Sequence, residues 1–267
     1  MDLFSLQGKT AVVTGALGLL GRRHCEALAA AGANVVVADL NETQTQQFAD
    51  ELGDQHTGIG LDVTSKASIN DALDAILNKY PSVDILVNNA AINDMFENPA
   101  MAAELSAFEN YPLDAFQKSL DVNVTGVFLC SQVFGTKMAE QGSGSIINIA
   151  STYGIVGPDQ SIYKTQCGEQ AFYKSAVYPV TKGAVINFTR FLAAYWGNKG
   201  VRVNTLSPGG VENSQDVFFI QNYSAKTLLG RMAKSTDYQG ALVFLASDAS
   251  AYMTGANLVV DGGWTAI

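Results

Sequence analysis

The chain has 267 residues, 48% hydrophobic and 15% charged, which provides a core for one large α/β domain and excludes a disordered chain. Its net charge of −9 argues against a nucleic-acid partner, whose phosphates need a basic face, and no apolar stretch is long enough to span a bilayer. Cys25, Cys130 and Cys167 give no disulfide framework, His24 and His56 are too few for a zinc site so no metal is expected, and with no secretory signal pattern at the start a cytoplasmic protein is expected.

The first apolar run, residues 10–14, leads into Thr14-Gly15-Ala16-Leu17-Gly18-Leu19-Leu20-Gly21. This reads as a strand, a glycine turn and a helix. The unpaired N–H groups of a helix's first turn carry roughly half a positive charge, so such a junction can hold a pyrophosphate without a basic side chain. Gly15, Gly18 and Gly21 equally suit a tight turn with close helix–sheet packing, and the triplet alone does not separate the two. The second run, 34–38, ends at Asp39, where an acidic residue can accept hydrogen bonds from the adenosine ribose hydroxyls of a dinucleotide. Its competing role is a strand-end cap. Asp39 would repel the extra phosphate of NADP, and Leu40 and Asn41 bring no basic residue after it. NAD is therefore the expected cofactor, although Arg22 and Arg23 stand nearby in the sequence.

Further runs at 57–61, 83–87, 145–149, 201–206 and 258–260 lack polar alternation, as strands buried on both faces do. Segments 21–31, 65–79 and 181–195 carry helical spacing. The alternation predicts a single α/β domain over residues 1–267, with a doubly wound, mostly parallel, seven-stranded sheet. Two long connections, 93–111 and 155–177, follow the carboxyl ends of strands, where open α/β sheets bind ligands. They are expected at the substrate cleft, with surface decoration or a subunit contact as the alternatives. In the first, Met95, Phe96, Met101, Leu105 and Phe108 predict a short helix packed on the body. The second carries Tyr163, Lys164, Gln166, Glu169, Gln170, Tyr173 and Lys174, which suit hydroxyls, a carboxylate or a phosphate better than a lipid.

Tyr178 and Lys182 are four residues apart and share a helical face, and Pro179 places Tyr178 at the start of that helix. A nearby cation lowers a phenol's pKa from about 10 toward neutrality. The phenol then serves as a proton donor and acceptor, worth roughly 10²–10⁴ in rate. Alone, such a pair is common by chance. Here it accompanies Asn88-Asn89-Ala90-Ala91, Leu120-Asp121-Val122-Asn123, Asn148-Ile149-Ala150-Ser151, Arg202 to Gly209, and Asp261-Gly262-Gly263.

In that order the set resembles the short-chain dehydrogenase/reductase family, in its one-domain branch with a Rossmann fold, over nearly the whole chain. The resemblance implies that Tyr178 is the acid/base, that Lys182 binds the nicotinamide ribose and tunes Tyr178, and that Ser151 orients the carbonyl or alcohol. It implies that Asn123 holds a water linking Lys182 to solvent. Leu17 and Leu20 in the glycine turn, Asp62, Val63, Asn89, Ala90, Pro208, Gly209 and Val211 would line the cofactor. It implies a homotetramer, with the 181–195 helix and the C-terminal segment at interfaces. The two long loops are similar to those of a bacterial subgroup in nonulosonic-acid sugar pathways.

Four features depart from the family pattern. Leu19 stands where the one-domain branch usually has its middle glycine, Ala91 replaces a glycine, and Asn213 replaces a threonine that contacts the carboxamide. The stretch from Ser151 to Tyr178 is unusually long, which leaves Thr152 as a fallback for Ser151. The expected activity is NAD-dependent interconversion of a secondary alcohol and a ketone on a polar, sugar-like small molecule. The alternatives are reduction of a 3-oxoacyl or other apolar carbonyl, an epimerase or dehydratase with tightly held NAD, and an idle NAD-binding protein.

Overall fold

The computed structural model describes residues 3–93 and 99–267. Seven strands form one sheet in the order β3-β2-β1-β4-β5-β6-β7. They are β1 (Thr10–Thr14), β2 (Asn34–Asp39), β3 (Thr57–Gly60), β4 (Ile85–Asn88), β5 (Gly144–Ile149), β6 (Val201–Pro208) and β7 (Asn257–Val260). Every pairing is parallel, so the predicted sheet is present and is parallel throughout. The helices are α1 (Leu19–Ala30), α2 (Glu42–Leu52), α3 (Lys66–Lys79), α4 (Pro99–Ser106), α5 (Leu113–Leu120), α6 (Gly126–Gln141), α7 (Val177–Trp196), α8 (Val217–Ser224) and α9 (Gln239–Ala246). Among the described residues, no helix is long and apolar enough to cross a membrane.

Strand side chains alternate between two cores, which explains the uninterrupted apolar runs. Val12, Val36, Leu86, Ile146 and Val203 pack with Ile76, Phe134 and Trp196 of α3, α6 and α7. Val13, Val35, Val37, Ile85 and Ile147 face the other way, toward Leu28 of α1, Phe48 of α2 and Leu242 of α9.

A buried polar chain runs through the middle of the sheet. The Asn88 amide donates to the Asn148 side chain, Asn148 donates to the Thr189 hydroxyl, and Thr205 donates to the same hydroxyl. Buried polar groups must be paired, so these bonds fix β4, β5 and β6 against α7. That register sets Ser151, just past β5, against Tyr178 at the head of α7.

The long connections add a satellite core. Ile162 and Tyr163 pack with Tyr223 and Met232, against which Phe219 and Trp264 lie. The ion pair Lys226–Asp159 ties the second connection to the loop after α8. In the first connection, Met95 and Phe96 lie outside the described residues, as does the side chain of Met101. Ala102 and Ser106 of α4 are buried. Phe108, expected to pack on the body, is 79% exposed because it sits in a single helical turn beyond the end of α4.

Candidate active site

The strand order reverses between β1 and β4, and the crevice at that switch point holds the site. Thr14 fastens its two rims together: its hydroxyl accepts from the N–H groups of Asn89 and Ala90, while the Asn89 amide donates to the carbonyls of Thr14 and Gly15. The three glycines of the turn have different duties. Gly15 has φ +62°, and a Cβ there would lie 2.6 Å from the Ala90 Cα. A Cβ on Gly21 would lie 2.2 Å from the Gly15 carbonyl oxygen. Both are demanded by packing. At Gly18 a Cβ would meet only the Gly15 oxygen, at 3.3 Å. Gly18 is the N-cap of α1, offers no side chain to the first-turn N–H groups, and no acidic residue follows in that turn. The helix end is therefore left open toward the crevice, as an anionic group requires.

A cleft of about 360 Å³ runs from this turn along Asp39, Leu40, Asp62, Val63, Asn89 and Ala90. Gly15, Gly18, Leu20 and Gly21 line it, whereas the Leu17 side chain packs on the core beneath. The Leu17 backbone still contributes, since its N–H donates to Asp39 Oδ2 at 3.0 Å. Asp39 Oδ1 accepts from the N–H of Leu40 at 2.7 Å. A carboxylate has about four acceptor positions, so two bonds leave Asp39 able to accept more. Arg22 lies over the Phe48 ring at 4.4 Å, and Arg23 pairs with Glu26 at 2.8 Å. Both guanidinium groups are engaged away from Asp39.

An adjoining cavity of about 490 Å³ is lined by Ser151, Tyr178 and Lys182, the candidate acid–base residues. Leu20 and Asn89 line both spaces. Pro208, Gly209 and Val211 form its far wall. Tyr178 is the second residue of α7, as its neighbour Pro179 predicts. Its phenol hydrogen-bonds the side chain of Ser151. The Thr152 side chain turns to Tyr223. Lys182 donates to the Ile149 carbonyl at 2.9 Å and lies 5.8 Å from the Tyr178 ring centroid. Burial pushes Lys182 down to about 8, with the charge of Lys174 adding to it.

Three expectations need correction, and Asn123 gains a structural role. Burial raises the Tyr178 phenol above its ordinary value, opposed by the Ser151 hydrogen bond, so the lowering expected from Lys182 is not what prevails here. Burial is the larger cause, because it disfavours the charged phenolate. Asn123 sits in a π-helical turn, Asp121–Thr125, joining α5 to α6. Its Oδ1 accepts from Ile92 N–H, and its amide donates to the Ile92 carbonyl and the Thr181 hydroxyl. Both amide protons are thus spent on protein, and the side chain braces the chain after β4 against α7. Asn213 is exposed and outside the cavity lining, where Gln215 appears instead. Last, the cavity is more aromatic than the second connection suggested, because Tyr153, Phe172, Phe219 and Tyr223 wall it.

The sequence pointed to Lys174 as a polar residue of the second connection but not to its place beside Tyr178, and it did not point to Tyr153. Lys174 places its ammonium 4.1 Å from the Tyr178 ring centroid and donates to Asn93. Tyr153 shares a hydrogen bond of 3.0 Å with Tyr163. Neither contact has a local signal, since both sets of partners meet only through the folded connection.

A family model described as enoyl-(acyl carrier protein) reductase matches residues 15–265. A D-threitol dehydrogenase from Mycolicibacterium smegmatis is 36% identical over 98% of this chain and 95% of its own length. A 3-alpha-(or 20-beta)-hydroxysteroid dehydrogenase from Mycobacterium tuberculosis is 36% identical over 98% of this chain and 91% of its own. Among solved structures, a gluconate 5-dehydrogenase from Burkholderia cenocepacia J2315, in complex with NADP and tartrate, is 31% identical and superposes with a TM-score of 0.85 over 100% of this chain and 98% of that one. The chain belongs to the short-chain dehydrogenase/reductase family of oxidoreductases.

Proposed function

We propose that this protein is an NAD-dependent dehydrogenase that interconverts a secondary alcohol and a ketone on a polyol- or sugar-like small molecule. The observation that carries the reading is the Tyr178 phenol, hydrogen-bonded to Ser151 and flanked by Lys182, in a cavity continuous with the Asp39 cleft. The open N-terminus of α1 fits the pyrophosphate, Asp39 the adenosine ribose, and Pro208, Gly209 and Val211 the nicotinamide end. The nicotinamide ring, when bound, supplies the site that takes or gives a hydride. Tyr178 takes the proton from the alcohol in oxidation and returns it to the ketone oxygen in reduction. Ser151 fixes that oxygen by a second hydrogen bond, and Lys182 favours the ionised phenol and holds the ribose.

NAD rather than NADP follows from Asp39, whose charge opposes a phosphate on the ribose, and from the engagement of Arg22 and Arg23 elsewhere. The neighbouring gluconate 5-dehydrogenase structure contains NADP, so the preference rests on this chain's own residues. A polyol-like substrate accords with the threitol and gluconate relatives. The aromatic cavity wall and the hydroxysteroid relative favour a second reading, a flat apolar alcohol. A homotetramer is part of the proposal: Phe191 and Tyr195 form an exposed stacked face on α7. Light scattering checks the assembly.

The test of function is NADH formation across a panel of polyols, sugar acids, cyclohexanols and hydroxysteroids, with NAD and NADP in parallel. The proposal expects turnover with polyols or sugar acids and NAD. Turnover confined to apolar alcohols selects the second reading.

A further inference from the structure

We propose that the phenols of Tyr153 and Tyr163 together form a hydroxyl-recognition subsite, which selects substrates bearing a second hydroxyl close to the reacting carbon. The inference rests on the dehydrogenase reading and adds what decides the choice of alcohol.

Tyr153 and Tyr163 are both buried, and their hydroxyl oxygens lie 3.0 Å apart. Two phenols own two O–H protons, and their mutual bond consumes one. Among the described residues neither hydroxyl has another hydrogen-bond partner. Burial raises both phenols above their ordinary value, so both protons are kept at neutral pH. One O–H is therefore left over, on phenols that themselves pack against rings. Tyr153 stands edge-on to Tyr178 at 6.5 Å and to Trp264 at 6.4 Å, while Tyr163 packs on Phe172 at 4.9 Å and Phe219 at 5.5 Å. Both phenols line the same cavity as Tyr178, and that cavity is the direction left for the proton.

An unpaired donor in such surroundings is costly, and a ligand oxygen relieves the cost. A site built around a buried polar group rejects an analogue lacking the matching oxygen far more strongly than an apolar pocket rejects a missing methylene. The arrangement is also held in place. Tyr163 comes from the long connection, whose Gln160 is bonded to the Lys174 backbone in both directions. The Lys226–Asp159 ion pair anchors the connection at its other side. The connection thus supplies half of a specificity subsite for a cavity whose acid–base residues lie elsewhere.

The test compares D-threitol, a secondary alcohol with neighbouring hydroxyls, with 2-butanol, which has none. The proposal expects wild type to favour threitol in kcat/KM by at least about tenfold, and Tyr153→Phe/Tyr163→Phe to reduce that ratio by about tenfold. Both single variants are measured as well, so that a double variant with a damaged fold does not decide the result. A ratio unchanged within about twofold in all the variants, or a wild-type preference for 2-butanol, overturns the subsite. A second arm needs no turnover: saturation-transfer NMR of D-threitol and 1,4-butanediol on the NADH-loaded protein. A threitol signal that wild type gives and the variants lose supports the subsite. Equal signals from both diols, or from wild type and variants, or no threitol signal, overturn it. Absence of NADH from every alcohol with a retained wild-type threitol signal counts against the dehydrogenase reading and not against the subsite.

Discussion

The ammonium of Lys174 lies closer to the ring of Tyr178 than that of Lys182 does, 4.1 Å against 5.8 Å from the centroid. The helical pair Tyr178–Lys182 is therefore part of a trio. Its third member arrives from the connection after β5, and its charge is one reason Lys182 is depressed to about 8.

A pH shift follows. On the proposed mechanism, ketone reduction needs a protonated phenol and a charged Lys182. Its rate should fall as pH rises through about 8, where Lys182 loses its proton. Lys174→Met removes one of the two causes of the depression, so the Lys182 pKa rises and the falling limb moves to higher pH. The pH profile of kcat/KM for reduction checks this; a limb that stays in place or moves down contradicts it.

The glycine turn separates folding from cofactor binding. Gly15→Ala and Gly21→Ala drive a Cβ to 2.6 Å and 2.2 Å from backbone atoms, and each should lower the thermal midpoint sharply. Gly18→Ala meets only one atom, at 3.3 Å, and should remain folded while NADH affinity falls by about tenfold or more. Thermal unfolding and NADH titration of the three variants measure both effects.

Asp39→Ala should lower the ratio of kcat/KM for NAD over NADP by about tenfold or more, since it removes the ribose acceptors and the charge that opposes the extra phosphate. Steady-state kinetics with both cofactors provide the ratio. A ratio that does not change removes Asp39 from cofactor selection.

What the sequence made legible was local. Apolar runs placed the strands because both faces of each are buried, and Tyr178 with Lys182 lay within one helical turn. Asp39 was readable because the end of β2 fixes its position beside the turn. What was not legible depends on contacts between distant segments. The meeting of Ser151 with Tyr178 is set by the β5–α7 packing, and the pairing of Tyr153 with Tyr163 by the folding back of the connection. The direction of the Tyr178 shift depends on burial, which spacing does not reveal. Asn123 carries a family signature, yet its bonds to Ile92 and Thr181 are visible only in three dimensions.

One buried base limits stability in acid. His24 is fully buried with neither ring nitrogen hydrogen-bonded, and burial lowers its pKa from 6.5 to about 4. The unfolded chain therefore binds this proton first, and stability is lost as pH falls from 6.5 toward 4. At pH 5 the loss is about 2 kcal/mol. His24→Leu should remove that component. The difference in unfolding free energy between pH 7.5 and pH 5 should shrink by about 2 kcal/mol in the variant. Urea denaturation at the two pH values checks it.

In the proposed reaction Tyr178 moves the proton while a hydride passes to NAD. This step is tested most directly by NADH absorbance with saturating NAD and D-threitol, or the best polyol of the panel, for wild type and Tyr178→Phe. Wild type should form NADH, and Tyr178→Phe should lose roughly 10²–10⁴ in kcat with NADH affinity retained. Full turnover by Tyr178→Phe, or no NADH from wild type with any secondary alcohol, contradicts it.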